Sequence, residues 1–207
     1  MKSTIPIAER YEALTVKLLG QSEEQKSQGN FSEANGLLNK IIVHEPECFE
    51  AYEELGDNFI SLRELAKARK ALEQALKINQ ASANAHYLMG FLHSVERQWD
   101  PSIAELQKAD EIFPNHPEIL RCLGWSCYNN ARKVQGIAIL ERSINLNPLD
   151  QNILCDLGVC YLNSGETTQA QETFEKIIQI NPESDQAQEA KMFLEMITKH
   201  SSVHSEA

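Results

Sequence analysis

The chain has 207 residues, of which 42% are hydrophobic and 24% charged, a balance typical of a folded globular protein rather than a disordered one. Thirty acidic and 19 basic residues give a formal net charge of −11, which repels phosphate groups and argues against nucleic acid or anionic membranes as partners. No run of 18 apolar residues occurs, so no membrane-spanning segment is predicted.

The N-terminal stretch MKSTIPIAERYEAL carries Glu9 and Arg10 and lacks the apolar core of a signal peptide. Residues 1–14 are predicted to be a partly disordered segment. The five cysteines are odd in number and form no CxxC pair, which favours free thiols in a reducing compartment. We therefore predict a cytoplasmic protein.

From residue 15 onward, one pattern recurs every 34 residues. A first phase holds glycine, with serine in the first copy: Ser22, Gly56, Gly90, Gly124 and Gly158. A second phase holds another small residue: Ala34, Ala68, Ser102, Gly136 and Ala170. A third holds proline in four copies: Pro46, Pro114, Pro148 and Pro182. The pattern predicts five units, at residues 15–48, 49–82, 83–116, 117–150 and 151–184.

Each unit is predicted to contain two helices joined by a polar turn. In the last unit, Leu154, Leu157 and Tyr161 are spaced i, i+3, i+7, as on one face of a helix. Asp100 and Pro101 predict the start of the second helix of the third unit, as a cap followed by proline at the first helical position. Small residues allow the two helices of a unit to approach closely.

After the last unit, residues 185–200 predict a single amphipathic helix with Ala187, Ala190, Leu194 and Ile197 on one face. No second helix follows, so we interpret it as a cap over the last repeat. Residues 201–207 are predicted to be a disordered tail.

The 34-residue pattern resembles the tetratricopeptide repeat, whose unit is a pair of antiparallel helices. The last unit fills the family pattern with Leu154, Leu157-Gly158, Tyr161, Ala170, Phe174, Ile177 and Pro182. The resemblance covers residues 15–184. It implies an all-α fold, a superhelix of stacked helical hairpins.

The sequence contains none of the common catalytic or nucleotide-binding motifs GxGxxG, GxxxxGK[ST], GxSxG and HExxH. It therefore predicts no cofactor and no enzymatic activity. His44, His86 and His93 fall on repeat positions that normally face the interior, and we interpret them as packing residues.

Four cysteines leave one alternative open. Cys122 and Cys127 lie in one first helix and Cys155 and Cys160 in the next, so four thiolates could meet and bind zinc. However, residues spaced i, i+5 point about 140° apart on a helix. Packing is the preferred interpretation, and no metal site is predicted.

In the tetratricopeptide family the first helices line a concave groove, and the resemblance implies that positions 2, 5, 9 and 12 of each unit face it. The predicted peptide-binding residues are Asn84, Tyr87, Phe91, Arg121, Trp125, Tyr128, Asn129, Asn152, Val159 and Leu162. The second repeat, residues 49–82, instead places Glu50, Glu53 and Asp57 in the groove. The basic residues with which one branch of the family holds a chaperone carboxylate are missing, so that co-chaperone role is not predicted.

These features predict a scaffold or adaptor that holds a peptide segment of a partner protein, apolar or aromatic with basic residues at one end. An alternative is a self-assembling structural protein, a homo-oligomer in which the groove or the cap docks on another copy. Tyr87 and Phe91 also have a second interpretation, since they could brace neighbouring helices.

Overall fold

The computed structural model describes the backbone of residues 7–205 and the side chains of residues 13–199. Within these residues the chain forms helices joined by short turns, without strands, so the predicted all-α class is confirmed. The helices are α1 (Ile7–Ser27), α2 (Phe31–His44), α3 (Phe49–Ser61), α4 (Leu65–Ile78), α5 (Ala83–Val95), α6 (Trp99–Ile112), α7 (Pro117–Asn129), α8 (Lys133–Leu146), α9 (Gln151–Asn163), α10 (Thr167–Ile180) and α11 (Asp185–Ser205).

The chain divides into two compact units, Met1–Leu92 and His93–Ala207. Each is larger than a single 34-residue repeat, and from here on they are called the first and the second unit. In the first unit, α1 packs on α2, α2 on α3 and α3 on α4. Leu38 and Ile41 of α2 meet Leu55 of α3 in one buried cluster, and Leu72 of α4 meets Leu92 of α5 in another. Each helix thus buries an apolar stripe against its neighbours, as amphipathic helices require.

In the second unit, each helix from α6 to α11 packs on the next, and α9 also contacts α7 and α11. The core forms around Phe174, which is fully buried together with Leu140 and Ile177. Ala187 and Ala190 of α11 are fully buried in the same cluster. The three helices α7, α9 and α11 therefore stand side by side in this unit.

The glycine phase marks where paired helices come closest. A Cβ atom added to Gly158 would lie 2.7 Å from Phe174 Cε1, and one on Gly56 would lie 2.5 Å from Leu72 Cδ2. Helices α7 and α8 approach backbone to backbone, since a Cβ on Gly136 would lie 2.6 Å from the backbone nitrogen of Tyr128. Both small-residue phases therefore have the packing role that the sequence predicts for them.

The turns between the two helices of successive hairpins share a feature that the sequence analysis missed. Five residues spaced by 34 have positive φ: Gly29 (78°), Arg63 (60°), Arg97 (59°), Ala131 (60°) and Gly165 (82°). Glycine adopts this left-handed conformation without strain, and the three other residues adopt it at some cost. The pair Gly29 and Gly165 was a visible signal of this phase.

Three predicted details differ from the structure. Helix α6 begins at Trp99, so Asp100 and Pro101 lie inside its first turn. Proline is tolerated there because the first N–H groups of a helix have no intrahelical partner. Helix α1 reaches back to Ile7, and α11 continues to Ser205 because the sequence after His200 has no glycine or proline to end it.

Helix α11 thus extends into residues 201–205, for which the sequence predicts a disordered tail. Residues 1–6 and 206–207 lie outside the described residues. The boundaries of the five repeats remain a prediction.

Candidate functional site

The second unit presents one face of its first helices. Trp125 on α7 and Cys155, Val159 and Leu162 on α9 are half-buried, and all pack with their inner edges against the core cluster around Phe174. Because their outer edges reach solvent, they form an apolar surface along the two helices. We call these four residues the α7–α9 surface.

Amide side chains border this surface. Asn129 is exposed, and its Nδ2 donates to the backbone oxygen of Trp125 at 2.9 Å. Asn152 is exposed, and its Oδ1 accepts a hydrogen bond of 2.9 Å from Gln186 Nε2 on α11. These bonds hold the α7–α9 surface between polar groups whose remaining donors and acceptors face solvent.

Tyr128 does not share that exposure. It is only 7% exposed, its hydroxyl lies 3.1 Å from Ser164 Oγ, and its backbone is the close neighbour of Gly136. Its environment is that of a packing residue between α7, α8 and the turn after α9. Sequence position alone could not separate Tyr128 from Trp125, since both fall on phases that the family assigns to the groove.

Arg121 is engaged by carboxylates on two helices. Its guanidinium donates to both oxygens of Glu118, at 2.9 and 2.6 Å, and to Asp156 Oδ2 at 2.7 Å. The pKa of Asp156 is raised to about 6, mainly by desolvation. Arg121 acts in the opposite direction, and the charges of Glu118 and Glu189 add to the increase. The cation of Arg121 is thus shared among carboxylates and links α7 to α9.

The first unit carries the remaining predicted residues on α5. Tyr87 and Phe91 are half-buried and stack with their ring centroids 6.3 Å apart. Both pack against the cluster that contains Leu72, which supports a bracing role for their inner edges. Asn84 is exposed, and its Nδ2 donates to Glu53 Oε2 at 2.9 Å.

The prediction that Glu50, Glu53 and Asp57 form an acidic part of the groove is wrong for two of these three residues. Glu53 is only 5% exposed and accepts hydrogen bonds from Ser82 and Asn84, so it fastens α3 to the start of α5. Burial raises its pKa, although those two hydrogen bonds act in the opposite direction. Asp57 is paired with Lys26 of α1. Among Glu50, Glu53 and Asp57, only Glu50 is an exposed carboxylate.

The cysteines have the properties of packing residues. All five are free thiols, and burial raises the pKa of Cys155 and of Cys160 to about 12. Thiols with such pKa values are protonated at neutral pH and are poor nucleophiles and ligands. Over the described side chains, no group of three His, Cys, Asp or Glu residues is placed to bind a metal ion.

The three histidines that the sequence analysis interprets as packing residues differ in their burial. His86 is 8% exposed, with its Nε2 at 3.1 Å from the backbone oxygen of Gln80, as a packing histidine should be. His93 is half-buried, with its Nδ1 2.7 Å from Gln98 Oε1. His44 is exposed at the end of α2, so the packing interpretation is wrong for it.

Sequence reasoning also missed residues of α11 that join this face. Gln186 and Glu189 lie 34 positions after Asn152 and Cys155, and they interact with α9 through the hydrogen bond to Asn152 and through the charge beside Cys155. The signal was present, because the 34-residue phase continues into α11. The final helix is thus a cap and also the edge of the α7–α9 surface.

Comparison with known sequences identifies the same kind of repeat that the structure shows. A sequence profile of the tetratricopeptide repeat matches residues 26–92 and 128–192, more than half of the chain, and the chain belongs to this family. It is 27% identical over 137 residues to the type IV pilus assembly protein PilF of Pseudomonas aeruginosa. That match covers 65% of this chain and 54% of PilF, so the chain spans about half the length of this relative.

Solved structures show the same fold. The structure of Pseudomonas aeruginosa PilF superposes with a TM-score of 0.77 at 14% identity, over 95% of this chain and 99% of that chain. YrrB, described as a TPR protein with an unusual peptide-binding site, superposes with a TM-score of 0.62 at 19% identity, over 84% of this chain and 90% of that chain. The predicted tetratricopeptide-type helical solenoid is therefore confirmed as the fold class.

One further property concerns membranes. None of the helices described here is both long enough and apolar enough to cross a lipid bilayer.

Proposed function

We propose that this chain is a scaffold that binds a peptide segment of a partner protein on the exposed faces of its first helices. The observation that carries the proposal is the half-buried Trp125 on α7, which has its inner edge in the core and its outer edge in solvent. Aromatic residues with this placement are the usual anchors of protein interfaces. Membership of the tetratricopeptide family, and the peptide-binding site described for YrrB, support the same function.

The remaining predicted residues belong to surfaces on α9 and on α5, or support them. Cys155, Val159 and Leu162 extend the apolar contact along α9, and Asn129 and Asn152 offer amide groups to a peptide backbone. On α5, the outer edges of Tyr87 and Phe91 and the amide of Asn84 offer a smaller surface of the same kind. Tyr128 and Arg121 support the α7–α9 surface from within. Tyr128 does so by packing, and Arg121 by the ion pair that joins α7 to α9.

The chain acts by binding rather than by catalysis. Its most perturbed carboxyl groups serve structural contacts, since Glu53 holds the start of α5 and Asp156 holds Arg121. Its thiols are kept protonated by burial. The free cysteines and the acidic surface also support a cytoplasmic location, with neither nucleic acid nor membrane as a partner.

Selection of random peptides displayed on phage against the purified protein tests this function. Enriched peptides should be apolar or aromatic, and Trp125→Ala should weaken their binding about thirtyfold, the loss expected for a central aromatic anchor. Trp99→Ala is the matched control, because Trp99 is the other tryptophan, half-buried at the start of α6 on a second helix. Peptides equally sensitive to both substitutions, or to neither, contradict the proposal.

Self-assembly is the second candidate. Met192 and Met196 on α11 are 66% and 51% exposed, and exposed methionines of this kind can pair between two copies. Light scattering over a range of concentrations separates the two functions. A dimer that Met192→Lys dissociates would favour self-assembly, and a monomer at all concentrations would favour the scaffold.

A further inference from the structure

The first unit contains a cleft that shares only Glu50 with the predicted groove residues. It lies between α1 and the connection from α2 to α3, and it is lined by Val16 and Leu19 of α1 and by residues 45–50. Val16 is 66% exposed, Leu19 and Phe49 are half-buried, and the thiol of Cys48 lies beneath them at 8% exposure. The floor of the cleft is therefore apolar and reaches solvent.

Helix α1, which forms one wall of the cleft, is held in place by two sets of contacts. Near its C-terminal end, Lys26 donates to Glu54 and Asp57 of α3 and fastens the two helices together. The cleft opens some seven to ten residues earlier on α1, beside the start of α3. Leu19 still packs with its inner edge against the cluster of Leu38 and Leu55, so the α1 wall of the cleft is fixed.

The rim of the cleft is acidic. Glu45, Glu47 and Glu50 all line it, and Glu47 and Glu50 are exposed. Among the ion pairs within residues 13–199, none neutralises these three carboxylates, whereas Glu54 and Asp57 are neutralised by Lys26. Burial, with Glu50 and Glu45 nearby, raises the pKa of the Cys48 thiol to about 11, as expected in a negative field.

We propose that this cleft takes a bulky apolar side chain of a partner protein that is flanked by lysine or arginine residues. The apolar floor of Val16, Leu19 and Phe49 would accept the side chain, and the carboxylates of Glu45, Glu47 and Glu50 would pair with the flanking cations. This inference rests on the proposed scaffold function and adds a second recognition site, within the first unit, for an apolar residue with a basic flank. The sequence predicted that Glu50, Glu53 and Asp57 would face this flank. Glu53 and Asp57 are occupied within the unit, and Glu50 lines the cleft.

The charge of the chain decides between possible occupants. A second copy of the chain carries the same net charge of −11 and is repelled from an acidic rim. A peptide segment with cationic residues is attracted to it, and each pair formed at the rim adds to the association rate and to the salt dependence of binding.

The test uses the full-length protein and random peptides displayed on phage. The enriched peptides are grouped by how much each cleft variant weakens their binding. Val16→Ser removes part of the apolar lining of the cleft. The double variant Glu47→Gln with Glu50→Gln removes two of the three negative charges of the rim without changing its shape. The matched controls are Val43→Ser, at a valine 76% exposed on α2, and the double variant Glu33→Gln with Glu73→Gln, at exposed carboxylates outside the cleft. Circular dichroism checks that all variants keep the parental fold.

We expect a class of enriched peptides in which an apolar residue is flanked by lysine or arginine. Val16→Ser should weaken their binding about five- to tenfold, since part of the value of burying a valine is lost. The Glu47/Glu50 double variant should weaken it several-fold and reduce its salt dependence. The two controls should change neither property.

Three results would overturn the inference. Peptides that need Trp125 but are indifferent to Val16 and the rim would leave the scaffold function standing and remove this site. Equal losses in the cleft and control variants would show that only the overall negative charge attracts the peptides. A dimer that Val16→Ser converts to a monomer would assign the cleft to a second copy.

Discussion

The close contact between α7 and α8 gives the most direct test of the packing. Gly136→Ala adds one methyl group that would lie 2.6 Å from the backbone nitrogen of Tyr128 and 2.7 Å from the backbone oxygen of Gly124. Ordinary contacts between such atoms are about 3.5 Å or longer. Because two of the three nearest atoms are backbone, no side chain can rotate away, and α8 must move from α7 by about 1 Å.

The expected magnitude follows from two opposing effects. Overpacking a well-packed core costs about 1–3 kcal/mol, and replacing glycine by alanine inside a helix returns up to about 1 kcal/mol. We expect Gly136→Ala to lower the free energy of unfolding by about 1–2 kcal/mol. Gly36→Ala is the matched control, because Gly36 is an exposed helical residue of α2 and a Cβ atom added there would have nothing within 4 Å.

That control should be stabilising by about 0.5–1 kcal/mol, since only the helix propensity changes. Urea denaturation followed by circular dichroism measures both variants, and hydrogen exchange of the α7 and α8 amides locates the effect. A Gly136→Ala protein as stable as its parent, together with a stabilised Gly36→Ala protein, would refute the close approach of the two helices.

Three other predictions follow from the structure. Ala131→Gly should stabilise the protein by about 1 kcal/mol, because φ of Ala131 is 60°, whereas Ala138→Gly on the exposed side of α8 should destabilise it by a similar amount; urea denaturation compares them. The pKa of Asp156 is raised to about 6 from an ordinary 3.8, so the folded state holds this proton longer than the unfolded state. Stability should therefore fall as the pH rises from about 4 to 6, and a carboxyl NMR titration with a pKa below 4 would contradict this. Deletion of Asp185–Ala207 should cause aggregation or a lower melting temperature by exposing the core around Phe174, whereas deletion of Ser201–Ala207 should change neither; thermal melting with light scattering tests both.

Much of the fold could be predicted because the helix pairs depend on residue size at fixed intervals. The glycine and alanine phases are visible in one sequence, and Gly56, Gly124 and Gly158 lie against their partner helices as those phases predict. The capping role of α11 was also visible, since Ala187 and Ala190 continue the apolar pattern of a first helix and are fully buried. Size and periodicity are properties of the local sequence, so they need no knowledge of the tertiary structure.

The candidate site was harder to predict because it depends on which polar groups meet across helices. Glu53 and Trp125 both fall on phases assigned to the groove, yet the first is buried against Ser82 and the second reaches solvent. The difference lies in a neighbour 29 positions away, which a position within the repeat does not encode. Val16 and Glu47 were missed for a related reason, since the cleft is made by two segments that do not share one helix.

The spacing of the ties between α7, α9 and α11 has a consequence for how such a protein can change in size. Arg121 and Asp156 are 35 positions apart, Tyr128 and Ser164 are 36 apart, and Asn152 and Gln186 are 34 apart, so each tie joins one helical pair to the next along the chain. Closing such short segments carries a small entropic cost and favours fast folding. Duplication of one 34-residue segment would copy its ties along with it and leave no distant contact to be rebuilt. The α7–α9 surface can therefore lengthen by gene duplication while the core beneath it keeps the same design.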